Sequence, residues 1–114
     1  LQPAIAVTAT NATSFTAIDL SPAIPTTTAP FVIAYLTVTF IPAAAGDVVQ
    51  FRPTGSTATA NLATIVGVAA GIAQTQNIAV NCGVGSSKPE IDYKVTASGD
   101  LVSIVVYGYS VTLA

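Results

Sequence analysis

The stretch Phe31-Val32-Ile33-Ala34-Tyr35-Leu36-Thr37-Val38-Thr39-Phe40-Ile41 decides the fold class. In an extended chain successive side chains point to opposite sides. Val32, Ala34, Leu36, Val38 and Phe40 therefore share one face, and Phe31, Ile33, Tyr35, Thr37 and Thr39 share the other. β-Branched and aromatic residues recurring with this period predict a strand. Both faces begin apolar, which places the strand centrally in a sheet.

The same pattern repeats on both sides of it, cut by Pro and Gly clusters. Strands are expected at Ala4 to Thr10, Phe15 to Leu20, Phe31 to Ile41, Asp47 to Arg52, Asn61 to Val66, Ala73 to Asn81, Glu90 to Thr96 and Leu101 to Leu113. Glu, Lys, Arg, Gln and Leu, the residues that favour helices, are scarce. The expected fold is all-β: an antiparallel β-sandwich or jelly roll of about eight strands.

Two strands carry information beyond their existence. In Lys88 to Val95, the residues Lys88, Glu90, Asp92 and Lys94 fall on one face and Pro89, Ile91, Tyr93 and Val95 on the other. Half of the chain's eight charges thus sit on one water-facing side, where they would guard a sheet edge or form a polar rim for a neighbouring subunit. The strand from Leu101 is apolar on both faces as far as Tyr107. Gly108 then permits a bulge before Tyr109. A strand this apolar belongs at the centre of a sheet or under a partner.

Ser21 to Pro30 holds three prolines and three consecutive threonines and reads as an extended hinge. It divides a single domain into an arm (1–20), the hinge (21–30) and a sandwich body (31–114). The arm could fold back as two ordinary strands, or lend its Ile5 and Val7 face to the next subunit's sheet.

Of 114 residues, 52% are hydrophobic and only 7% charged, and the net charge is −2. Ordinary domains carry roughly 25% charged residues, so this exterior is covered by Thr, Ser, Ala, Asn and Gln. Such a surface fits burial in an assembly, or a Thr-rich coat on a secreted monomer. Arg52, Lys88 and Lys94 cannot line a path of phosphates, which excludes nucleic acid as a partner. Mean hydropathy is +0.71, yet no apolar run approaches the roughly 20 residues of a membrane-spanning helix. A chain starting at Leu1 is compatible with removal of a leader.

Chemistry-bearing groups are sparse. The sequence has no histidine, which removes Ser-His, Cys-His and His-metal arrangements, and Cys82 is solitary, an inert buried thiol or one half of an intermolecular bridge. Asp19, Asp47, Glu90, Asp92 and Asp100 show no spacing that builds a catalytic carboxylate pair. Glu90 and Asp92 could reach a Ca²⁺, but Lys88 and Lys94 offer charge compensation without metal. Asn11-Ala12-Thr13 fits the glycosylation acceptor pattern. A carbohydrate-binding module would need exposed aromatics, and Trp is absent. The expectation is no enzyme activity and no cofactor.

The run Ala44-Ala45-Gly46-Asp47-Val48-Val49-Gln50-Phe51-Arg52-Pro53-Thr54-Gly55-Ser56, with Ile91-Asp92-Tyr93-Lys94-Val95 and Val105-Val106-Tyr107-Gly108-Tyr109, resembles small β-sandwich proteins of tailed-phage particles. The resemblance covers the last part of the chain. It implies a capsid-decorating, fibre or tail-associated subunit, located in the virion and working as a homo-oligomer or with other structural proteins. The alternative is a secreted cell-surface filament subunit joined by its N-terminal strand. Ile5, Val7, Lys88, Glu90, Asp92, Lys94, Tyr107 and Tyr109 are the expected assembly contacts.

Overall fold

The computed structural model describes residues 5–9, 12–24, 31–56, 62–83 and 90–112. Within them lie eight strands: β1 (Ile5–Ala9), β2 (Thr16–Asp19), β3 (Phe31–Ile41), β4 (Val48–Pro53), β5 (Ala63–Val66), β6 (Gln74–Asn81), β7 (Glu90–Val95) and β8 (Leu101–Thr112). Pairing is nested and antiparallel throughout: β1 with β8, β2 with β7, β3 with β6, and β4 with β5. The chain is therefore one long hairpin with arms β1 to β4 and β5 to β8. Two further pairings, β3 with β8 and β4 with β7, roll it up. The result is two four-stranded sheets, sheet A in the order β1-β8-β3-β6 and sheet B in the order β2-β7-β4-β5. This is the strand order of a jelly roll.

Alternation explains the core. Val32, Ala34, Leu36, Val38 and Phe40 of β3 are all buried, joined from sheet A by Val80, Val102, Ile104 and Val106. Sheet B contributes Ile18, Val49, Phe51, Ile65, Ile91, Tyr93 and Val95. The Tyr93 hydroxyl, whose burial would be costly without a partner, accepts the Ala12 amide at 3.1 Å.

β3 and β8 are both interior strands of sheet A, as their two apolar faces predict. Of the two readings of β7, the edge one falls: the strand lies between β2 and β4, so its charges guard no edge. The hinge also differs from expectation at its start. The amides of Ala23 and Ile24 donate to the Leu20 carbonyl at 2.8 and 2.9 Å, closing a tight turn. Leu20 and Ile24 lie four residues apart, so this turn puts both in the core, and burial of two aliphatic side chains outweighs the extended preference of the flanking prolines. The Asp19 carboxylate accepts the Ser21 amide at 2.8 Å and fixes the turn's entry. The remainder of the hinge (25–30), Asn11 and Lys88 fall outside the described residues. Both arm strands are built into the sheets of their own chain, with Ile5 opposite Val106 and Val7 opposite Ile104.

At one end of the sandwich the backbones come very close. Gly46, at φ 91°, donates to the Gly67 carbonyl at 2.9 Å, and the Gly67 amide donates to the Asp47 carbonyl at 2.7 Å. A Cβ on Gly67 would lie 2.5 Å from Cβ of Pro42, whereas one on Gly108 would meet Tyr35 Cδ2 at an ordinary 3.5 Å. Gly67→Ala is therefore expected to cost about 1–3 kcal/mol by overpacking. Gly108→Ala should cost less. Val106→Ala should cost about 2 kcal/mol or more through the cavity it leaves. Urea denaturation checks all three, and a Gly67→Ala variant as stable as the parent would contradict the close approach.

Candidate functional site

Charge is partitioned between the sheets. No Asp, Glu, Lys or Arg occurs in β1, β3, β6 or β8, so sheet A is uncharged on both faces. Sheet B carries Asp19, Arg52, Glu90, Asp92 and Lys94.

On the outer face of sheet B these groups are largely engaged with one another. Asp92 is buried: its carboxylate accepts Arg52 Nε at 3.0 Å and the Thr54 hydroxyl at 3.0 Å. The Arg52 guanidinium lies 3.7 Å from the centroid of the Phe15 ring, and Lys94 Nζ lies 5.3 Å from the same ring. A cation over each part of the ring is attracted by its π-face, and the ring in turn screens the ion pair from water. The expectation that Asp92 faces water is corrected, because it is buried and engaged by Arg52 and Thr54. Asp92 is spent inside the subunit rather than offered to a partner. Glu90 stands directly opposite Asp19, a like-charge pair that the cap to Ser21 only partly relieves. Beside Lys94 runs an open groove of about 410 Å³ lined by Thr13, Val48, Gln50, Val95 and Thr96.

Sheet A presents a different surface. The β3–β8 register shifts between Tyr35 and Leu36, leaving Tyr107 unpaired in a β-bulge. The bulge resets the alternation: Val106 points into the core, Tyr107 is 46% exposed, and Tyr109 turns back to pack half-buried against the core. Tyr107 leans on Tyr35 with ring centroids 6.1 Å apart, and the Tyr35 hydroxyl shares a 2.6 Å hydrogen bond with Ser110. Along the same face run Ile33, Thr37, Thr39, Ser103 and Val105. Thr37 and Thr39 are tied to Asn77 and Thr75 of β6 by hydrogen bonds of 2.8 and 3.1 Å. Phe31 and Leu101 are exposed at its two ends.

The structure thus divides the expected contact residues. Tyr107 lies on the outer face of sheet A, Glu90 and Lys94 on that of sheet B. Tyr109 and Asp92 are turned to internal work, and Lys88 falls outside the described residues.

The end of the sandwich holds a carboxylate pair that spacing did not reveal. Asp100 is fully buried and accepts the amides of Ala43 at 2.7 Å and Ala97 at 2.9 Å, bracing the β3–β4 loop against the β7–β8 loop. The Asp47 carboxyl lies beside it, and Asp47 Oδ2 is buried with no hydrogen-bond partner. The hydrogen bond to Asp100, with burial and the neighbouring negative charge, holds the Asp47 carboxyl above its usual range. Burial alone would raise Asp100 too, but the Ala43 and Ala97 amides, the Asp47 carboxyl and the Thr96 backbone outweigh it and hold Asp100 low.

Among the described residues no three His, Cys, Asp or Glu side chains gather as a metal site, and no helix is long and apolar enough to cross a membrane. Burial pushes the Cys82 thiol up to about 11, which suppresses the reactive thiolate. The chain matches no protein-family model, no curated protein and no solved structure.

The opposite shifts of the two aspartates set a pH dependence. Asp47, raised on folding, contributes stability at low pH that is lost as pH climbs through its folded-state pKa. Asp100, lowered on folding, contributes stability that is lost as pH falls through its folded-state pKa. Stability should be greatest between these limits. Asp47→Asn, which cannot ionise, should abolish the decline on the alkaline side. Thermal melts of both proteins across pH check this, and an unchanged decline in the variant would contradict it.

Proposed function

We propose that this chain is a non-enzymatic structural subunit that acts through protein–protein contacts, as a capsid-decorating, fibre or tail-associated component of a virus particle. One observation carries the reading: a whole four-stranded sheet without a charged residue, whose outer face bears Tyr107 and ends in exposed Leu101 and Phe31. Apolar and aromatic side chains without charge are the composition of the centre of a protein interface. A free surface normally retains charge for solubility. The jelly roll recurs in viral capsid domains, and also in lectins and cupins, so the fold supports the reading without carrying it alone.

The filament alternative needs a vacant place for a donated strand. The chain's own β1 already fills the position beside β8, and a donor would have to displace it. A closed sandwich that associates through its surface agrees better with this pairing.

The purified chain should sediment as an oligomer at micromolar concentration, and Tyr107→Lys, which places a charge on the sheet A face, should weaken that association while circular dichroism shows the variant still folded. A parent protein that stays monomeric without any partner would overturn the assembly reading. Capsid or tail genes are expected beside its gene, and secretion genes there would favour the filament alternative.

A further inference from the structure

β6 forms one edge of sheet A and is hydrogen-bonded to a neighbouring strand only on its β3 side among the described residues. Proteins usually protect such edges with charge, proline, a bulge or shortness, because unpaired amides and carbonyls recruit another strand. β6 has none of these devices. It is eight residues long, Gln-Thr-Gln-Asn-Ile-Ala-Val-Asn, without charge or proline, and its register with β3 runs unbroken from Gln74 to Asn81. The other edges are better protected. β2 and β5 have four residues each, β2 bears Asp19, and β1 has five residues.

We propose that β6 pairs with β6 of a second copy of this chain, antiparallel about a two-fold axis, so that two A sheets become one continuous sheet. This rests on the assembly reading above and assigns it a surface. The occupant follows from the strand's own chemistry. Two-fold pairing sets a strand against its own sequence, so any charge on it would face a like charge nearby. Gln, Asn and Thr both donate and accept hydrogen bonds, and can meet themselves without conflict. Thr75, Gln76, Asn77, Ala79 and Asn81 are all exposed and available for such contact. The joint would also extend the uncharged outer face, since that face ends at β6.

Gln76 separates edge from face. It shares its side of β6 with half-buried Ile78 and buried Val80, away from the outer face of sheet A, yet it is itself exposed at the rim. Sedimentation equilibrium of the full chain should give at least twice the 11.4 kDa of one copy. Gln76→Thr should behave alike, whereas Gln76→Lys should weaken the dimer about tenfold or more through like-charge juxtaposition. Circular dichroism should show both variants folded. With rising protein concentration, β6 amides should gain protection from hydrogen exchange. A Gln76→Lys protein that associates as the parent does, or β6 amides that gain no protection, would overturn the proposal. If association then yields only to Tyr107→Lys, the face contact stands and the edge contact falls. A parent that is monomeric throughout would overturn both.

Discussion

The antiparallel pairing of β3 with β8 is the contact on which the rest of the molecule depends. It runs along all 11 residues of β3 and joins the two halves of the rolled hairpin at the centre of sheet A. β6 can pair only because β3 is held, and β1 only because β8 is held. The inward sides of the two strands, from Val32 to Phe40 and from Val102 to Val106, form the floor on which sheet B packs. The bulge at Tyr107 belongs to the same contact: one extra residue in β8 keeps Val106 in the core and sends Tyr107 outward. Core packing and candidate interface are therefore set by a single register.

Charge is placed where the fold can satisfy it. Asp92 and Asp100 are buried, and each has partners: Arg52 and Thr54 for the first, two loop amides for the second. Burying an ion without such partners would cost several kcal/mol. With these groups confined to sheet B and one end, sheet A remains free of charge. On this account the uncharged sheet and the unprotected β6 edge are two aspects of one surface, a face and its rim, both suited to a second protein.

Much of the architecture was legible in the sequence because alternation is a local signal. The buried positions of β3 follow directly from Val32, Ala34, Leu36, Val38 and Phe40, and Gly108 marks the neighbourhood of the bulge. Strand order was not legible. Whether β7 is an edge depends on how the hairpin rolls, and Asp92 becomes buried only once β4 flanks β7 and brings Arg52, stacked on the Phe15 ring, against it. Asp47 and Asp100 meet because three loops converge at one end, and neither residue's neighbours announce the other. The turn at Ser21 was hidden by its prolines, although Leu20 and Ile24 were spaced for one buried turn. As for function, the shortage of charge was visible from composition. Its concentration into one entire sheet required the topology.

The central claim is that the uncharged sheet is the surface of association, and a scan of single lysine substitutions on both outer faces tests it most directly. Lysines at Thr39, Thr75 and Ser103 of sheet A, and at Ala17, Gln50 and Thr64 of sheet B, all replace exposed or half-buried residues. Sedimentation of the six variants should show association weakened by the first three and retained by the last three. Equal loss on both sheets, or loss confined to sheet B, would contradict the account.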